Sequence, residues 1–221
     1  MGAPEGPTGA LRLFFALLPD AAARRTLATL AGDVARETGG RATPAENLHL
    51  TLAFLGSVPR SRIADVEAAG ARAAAMAVPI ALALDRVGWF RKAGVAWIGP
   101  AAVAPSLAQL AAALRETLRD EGLPVEERAF HPHLTLARHA ARAPVGGAAP
   151  ACWQAEAMVL MASDTLPSGA AYRVLASWPL EFRSPGCATK RSRAYRGAMS
   201  ASSSRRRNSW KCCMPSSIGD W

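Results

Sequence analysis

The histidines and threonines of this chain form one repeated pattern. The string His-Leu-Thr-Leu-Ala occurs at residues 49–53 and again at 133–137, in a sequence of 221 residues with only four histidines. Two identical copies of a string built on so rare a residue are a specific signal rather than a chance match. The copies lie 84 positions apart, which indicates an internal duplication with one copy in each lobe.

The spacing within each string has a direct consequence on a strand. Residues i and i+2 of a strand point to the same face, so His49 and Thr51 share a face, as do His133 and Thr135. The intervening leucines take the opposite face and anchor each strand. If the two strands face each other across a cleft, two imidazoles and two hydroxyls converge. Such a set can hold a phosphate, with the threonines donating to its oxygens and the histidines acting as general acid and general base.

A structural role or a metal site could also account for these histidines. A single histidine on a strand is usually a hydrogen-bonded structural residue, and it is the duplication that argues against this here. His131 lies on the same face as His133, so His131-Pro132-His133 could be half of a metal site. The first copy offers no matching Asp, Glu or His, and therefore the sequence predicts a site without a metal or a cofactor.

Arg138 and Phe14 are further candidates for binding substrate. Arg138 follows Thr135 by three positions, so it reaches a phosphate only if the strand bulges or ends there. Phe14 and Phe15 are neighbours in an apolar run, so one ring faces the core while the other, Phe14, could stack on a base. Burial of both rings is the alternative. His139 and Arg142 are interpreted as loop residues.

The elements that must position these residues are a mixture of strands and helices. Apolar runs and turn signals predict seven strands, and 3–4 spacing of apolar residues predicts three helices. The segments 80–98 and 153–180 are typical of hairpins, which favours antiparallel pairing and an α+β fold. The predicted strands are 10–18, 47–56, 80–90, 94–98, 131–138, 153–165 and 170–180; the predicted helices are 21–37, 61–76 and 105–121.

Charge divides the chain into a body and a tail. Residues 184–221 hold eight of the 26 basic and one of the 17 acidic residues, so they carry +7 of the net charge of +9. Hydrophobic periodicity vanishes there, which predicts a body of 1–183 and a disordered tail of 184–221. The tail is either an extension without a role or an RNA-binding arm. No apolar run is long enough for a membrane span, and the four cysteines form neither a zinc pattern nor a disulfide framework, which together favour the cytoplasm.

On these motifs the sequence resembles the 2H phosphoesterase superfamily, which is defined by two His-x-Thr motifs. It is most similar to the RNA 2′,3′-cyclic phosphodiesterase family, also known as 2′-5′ RNA ligases. The resemblance covers residues 10–182 and rests on LRLFFALLPD, ENLHLTLAFLG and FHPHLTLAR. It implies a bilobal, pseudo-twofold α+β fold, with an antiparallel sheet and outer helices in each lobe and the active-site cleft between them.

The resemblance also implies an activity and roles for single residues. The activity is hydrolysis of RNA 2′,3′-cyclic phosphate ends to 2′-phosphates and, in some members, reversible 2′-5′ joining of tRNA halves. His49 would protonate the leaving 3′-oxygen, His133 would activate water, and Arg138 matches the arginine of the second motif. We expect a monomer. A binding module without turnover and another cyclic-nucleotide phosphodiesterase activity are the alternatives that the sequence leaves open.

Overall fold

Helices lie where apolar periodicity places them. The computed structural model describes residues 9–146, 150–166 and 169–181, so the predicted tail lies outside the described residues. Within that part of the chain, α1 spans Ala21–Thr38, α2 spans Ile63–Ala75 and α3 spans Pro105–Asp120, which confirms the three predicted helices. The Asp20 carboxylate accepts a hydrogen bond from the amide of Ala23 at 2.8 Å and so caps α1. None of these helices is long and apolar enough to span a bilayer.

The strands are antiparallel throughout the described residues. They are β1 (Ala10–Leu17), β2 (Arg41–Ala42), β3 (Leu50–Pro59), β4 (Ile80–Leu84), β5 (Arg86–Phe90), β6 (Val95–Gly99), β7 (Leu134–Arg138), β8 (Ala151–Ala155), β9 (Ala157–Leu166) and β10 (Gly169–Pro179). The larger sheet has the order β10-β9-β1-β3-β7-β6-β5, with short β2 paired to the end of β7, and β4 and β8 form a separate ribbon.

Two segments that were each predicted as one strand form two strands each in the structure. Segment 80–90 breaks at Asp85 into β4 and β5, and segment 153–165, whose strand begins at Ala151, breaks at Glu156 into β8 and β9. At the first break the Asp85 carboxylate accepts from the amide of Ala101 at 2.7 Å and the Asp85 amide donates to Gly99. The four pieces pair in different sheets. Apolar periodicity does not distinguish one long strand from two that exchange partners at a polar residue.

The larger sheet consists of two wings joined at one residue pair. The first wing is β10-β9-β1-β3 and the second is β7-β6-β5, and β3 meets β7 at Leu50 opposite Leu134. Helix α1 packs on β7, whereas α2 packs on β10 and α3 on β3. Leucine and alanine side chains from both wings form one continuous core. This arrangement confirms the predicted α+β fold with helices outside the sheets.

Close packing of α2 against the first wing depends on a glycine. A Cβ on Gly70 would lie 2.7 Å from Cε1 of Phe15 and 3.0 Å from Cη2 of Trp178. Phe15 is fully buried and Trp178 is 8% exposed, so neither ring has room to move. Gly32 in α1 has no such neighbour, since nothing lies within 4 Å of the corresponding position.

We therefore predict opposite effects for two glycine-to-alanine substitutions. Gly32→Ala should raise the free energy of unfolding by about 0.5–1 kcal/mol, the ordinary gain in helix propensity. Gly70→Ala carries the same gain but adds an overpacking cost of about 1–3 kcal/mol, so the net effect should be a loss. Denaturant unfolding of both variants measures the difference. Equal stabilisation by the two substitutions would show that α2 does not pack as described.

Candidate active site

One pair of leucines sets the geometry of the site. Leu50 and Leu134 are opposite partners in the antiparallel contact of β3 with β7, and both are fully buried. In such a pairing the flanking residues are also opposite each other, His49 to Thr135 and Thr51 to His133. Alternation turns all four flanking side chains to the face away from the core. The two strands thus meet at the junction of the two wings, and the two histidines occupy diagonal corners.

Both imidazoles are held by the same local hydrogen bond. Nδ1 of His49 lies 2.7 Å from the carbonyl oxygen of Asn47, and Nδ1 of His133 lies 2.7 Å from that of His131. A carbonyl only accepts, so Nδ1 carries the hydrogen in both rings and donates it. Nε2 of each ring is left to exchange a proton with a ligand. The histidines of the two motif copies therefore share the same tautomer, with the hydrogen on Nδ1.

Burial disfavours the charged form of both imidazoles. It lowers the pKa of His49 and of His133 below the ordinary value of 6.5, and the hydrogen bond to the carbonyl only partly opposes this. The positive charge of Arg138 lowers the pKa of both rings further. The charge of His133 also lowers the pKa of His49. Both rings are consequently favoured in their neutral form at neutral pH.

Aromatic rings surround each histidine. The His49 ring centroid is 4.8 Å from that of Phe14 and 5.2 Å from that of Tyr172, which meets it edge-on. The His133 ring meets Phe90 edge-on at 5.1 Å. Phe14 is on the side of the sheet that carries the site, whereas Phe15 faces the core, as alternation predicts. Phe14 is only 4% exposed, so its ring supports His49, and stacking on a base stays a prediction.

A β-bulge brings Arg138 to the same face as the histidines. In the pairing of β6 with β7, Ala96 is opposite Ala137 but Trp97 is opposite Thr135, which leaves Leu136 as the extra residue. Leu136 and Ala137 are both fully buried, so the alternation is reset and Arg138 points outward with Thr135. From the sequence alone, Arg138 was expected to reach a phosphate only if its strand bulged or ended there. β3 has the same irregularity at Leu52, directly after Thr51.

The cavity next to the site contains residues that the sequence did not single out as a set. This His49 cavity, of about 510 Å³, is lined by His49 and Thr51 of the first copy, by Arg138 and His139 directly after the second copy, and by aromatic rings of the first wing; none of these lining residues is acidic. Tyr172, Phe54 and Arg12 lie outside the two His-Leu-Thr-Leu-Ala strings, and their register across β1, β3, β9 and β10 brings them together. The members are Arg12, Phe14, His49, Thr51, Phe54, Arg138, His139, Ser163, Ala170 and Tyr172.

His139 and His131 take different places around the site. His139 has φ 56°, in the left-handed region that non-glycine residues seldom adopt, and it lines the His49 cavity next to Arg138. His131 lies on the other side, where its ring meets Trp97 edge-on at 5.1 Å, and its carbonyl holds His133. Among the described residues no three His, Cys, Asp or Glu side chains come together. The His131/His133 pair thus has no third ligand of these types within that part of the chain.

The family of this chain follows from comparison with known proteins. Residues 18–167 match the model of the 2′-5′ RNA ligase superfamily, and this range includes both His-x-Thr strings. The chain therefore belongs to the 2′-5′ RNA ligase superfamily, as its motifs predict.

Relatives and solved structures agree with this assignment. The chain is 33% identical over 182 residues to the RNA 2′,3′-cyclic phosphodiesterase of Thermus thermophilus, which covers 77% of this chain and 90% of that protein. It is 36% identical over 133 residues to the Escherichia coli protein of the same name, covering 60% and 74% of the two chains. The crystal structure of E. coli LigT complexed with 3′-AMP matches with a TM-score of 0.71 at 30% identity, covering 77% of this chain and 98% of LigT.

The lowered pKa values predict how the two histidines titrate. The folded-state pKa of each imidazole is depressed, so both rings should lose their proton below pH 6.5. Their burial should cost stability as the pH falls from 6.5 towards the folded-state values, because the unfolded chain then binds more protons. Long-range ¹H–¹⁵N spectra report each midpoint and tautomer, with His49→Gln and His133→Gln spectra providing the assignments. Midpoints at or above 6.5, or a proton on Nε2 of the neutral ring, would contradict the described environment.

Proposed function

We propose that this chain hydrolyses the 2′,3′-cyclic phosphate at the end of an RNA to a 2′-phosphate, without a metal or cofactor. The observation that carries the proposal is the pairing of Leu50 with Leu134, which gathers two imidazoles and two hydroxyls on one face. The activity named for the relatives from T. thermophilus and E. coli supports the same reaction. The catalytic residues are His49 and His133, and Thr51, Thr135 and Arg138 bind the phosphate.

The diagonal placement of the histidines suits in-line displacement at phosphorus. Water attacks from the side of one imidazole and transfers a proton to its Nε2. The P–O3′ bond breaks on the opposite side, and the second imidazole gives its proton to the leaving 3′-oxygen. Thr51 and Thr135 donate hydrogen bonds to the non-bridging oxygens, and Arg138 balances the charge that develops there. Every proton that moves is thus assigned to a group of this chain or to the substrate.

Burial of the two imidazoles favours catalysis over simple binding. A site that only held a phosphate would gain more from permanently charged arginine or lysine side chains than from neutral imidazoles. Here burial and Arg138 lower the pKa of both rings, which weakens them as anion binders. The same shift keeps a ring in the neutral form that can accept a proton, and it makes a protonated ring a stronger acid. The alternative of a non-catalytic binding module lacks this physical rationale.

In our proposal, the assignment of the acid and base roles to the two histidines follows the family resemblance. His49 protonates the 3′-oxygen and His133 takes the proton of water. In the free protein burial lowers the pKa of His49, with smaller contributions from the charges of Arg138 and His133, so its protonated ring is a stronger acid than an ordinary imidazolium. A bound phosphate raises the pKa of both rings through its negative charge and restores the protonated form of one of them.

The biological setting is part of the proposal. The RNA ends include tRNA halves, and 2′-5′ joining is the reverse of the same chemistry at the same phosphate. All groups in the mechanism come from one chain, so a monomer suffices, and we place it in the cytoplasm. Light scattering of the purified protein tests the monomer, since a stable dimer would contradict it.

The central mutational prediction concerns single histidine-to-alanine substitutions. His49→Ala and His133→Ala should each lower kcat for uridine 2′,3′-cyclic phosphate by about 10²–10⁴-fold, since each removes one proton transfer. His131→Ala is the matched control, because its backbone carbonyl still holds His133, and it should keep most activity. EDTA should have no effect on the parent protein. Chelator-sensitive activity restored by a divalent ion, together with loss in His131→Ala, would favour a metal site instead.

The same variants separate the acid from the base. With a nitrophenyl ester of a nucleoside 2′-phosphate the leaving group needs no proton, so His49→Ala should be largely rescued while His133→Ala stays slow. The reverse pattern would exchange the two roles. Failure of rescue in both variants would contradict a dedicated general acid.

A further inference from the structure

A second cation lines the His49 cavity at a distance from the reacting phosphate. Arg12 of β1 is exposed, and its guanidinium carbon lies 4.7 Å above the ring centroid of Phe54. Among the described residues, no carboxylate lies within ion-pair distance of Arg12. The guanidinium is thus held by an aromatic face and keeps its donors for a ligand.

The register of β1 fixes how far Arg12 lies from the histidines. Arg12 and Phe14 share one face of the strand and are separated by about 7 Å, two residues of strand rise. The Phe14 ring in turn lies 4.8 Å from the His49 ring. Arg12 therefore lies one two-residue repeat, about 7 Å along β1, from the residue whose ring contacts His49. Tyr172 and Ser163 lie beside this path, because Arg12 and Tyr172 both pair with Ser163 across β9.

The internal duplication shows that this arrangement differs between the wings. Residue 54 has the same place after Thr51 that residue 138 has after Thr135, so Phe54 stands where the second copy has Arg138. Both follow a bulge and both line the His49 cavity. The first wing thus has the aromatic ring of Phe54 at this position on β3, and its cation, Arg12, lies on the neighbouring strand β1. The arginines near the two copies thus lie at different places, Arg138 at the end of β7 and Arg12 on β1.

The opposite side of the site is less suited to a polyanion. The His133 cavity, of about 280 Å³, is lined by His133, Phe90, Arg115, Glu126 and Arg128 among others. Arg128 lies 3.7 Å from the Glu126 carboxylate, and Arg115 donates to the carbonyl of Arg128 at 2.9 Å. The cations on that side are already engaged, and an acid stands beside them. Electrostatics therefore favours the first wing for the rest of an RNA chain.

We propose that Arg12 binds the phosphodiester immediately 5′ of the nucleoside that carries the cyclic phosphate. The contact makes Arg12 a specificity residue, because it distinguishes the end of an RNA chain from a free cyclic mononucleotide. This inference rests on the proposed function of the histidine pair. Phe54 positions the guanidinium, and the RNA runs outward over the first wing.

The test compares a dinucleotide with a mononucleotide in the full chain. For the parent protein and for Arg12→Gln, kcat/KM is measured with UpU 2′,3′-cyclic phosphate and with uridine 2′,3′-cyclic phosphate. Arg12→Gln should lower the ratio of dinucleotide to mononucleotide kcat/KM about five- to tenfold, mainly through KM. The dependence of log KM on log salt for the dinucleotide should become shallower by about 0.7, the value for one phosphate of a single strand. Arg128→Gln, the matched loss of one arginine on the other side, should leave the ratio unchanged.

A neutral linkage identifies the phosphate concerned. When a methylphosphonate replaces the internucleotide phosphodiester, the parent protein should lose its dinucleotide preference and Arg12→Gln should add no further loss. An unchanged ratio in Arg12→Gln, an equal loss on both substrates, or a selective loss in Arg128→Gln would each overturn the proposal. Absence of turnover of the mononucleotide by the parent protein would instead refute the proposed function itself.

Discussion

The pairing of Leu50 with Leu134 is the constraint on which the rest of this molecule depends. It joins the two wings of the sheet, and it places His49, Thr51, His133 and Thr135 around one point. A shift of this register by one residue would turn the buried leucines outward and the histidines into the core. The hydrophobic effect that holds the leucines inside therefore also fixes the relative positions of the proposed catalytic groups.

Bulges directly after each threonine explain why the contact of the wings is so short. The extra residues Leu52 and Leu136 interrupt the pairing of β3 with β1 and of β7 with β6. A bulge bends its strand and increases its twist, so the two strands separate soon after they meet. The same irregularity turns Arg138 to the face that carries the two histidines. The separation of the two strands and the orientation of Arg138 thus have one structural cause.

The two His-x-Thr strands were predicted from the sequence, whereas the division of the sheet was not. The His-x-Thr strings are visible because histidine is rare in this chain and because alternation on a strand depends on local geometry alone. The strand breaks at Asp85 and Glu156 were missed, since they depend on which distant strand pairs with each segment. Tyr172 was missed for a related reason: its position beside His49 follows from the register of β9 and β10, which leaves no local signal.

A crystal structure with the expected product, uridine 2′-monophosphate, tests the central claim most directly. One phosphate should lie above the Leu50–Leu134 pair, with its oxygens about 2.7–3.2 Å from Nε2 of His49 and His133 and from the hydroxyls of Thr51 and Thr135. Arg138 should contact the same phosphate. A phosphate bound elsewhere in the cavity, or one that touches only one of the two histidines, would contradict the shared two-histidine site.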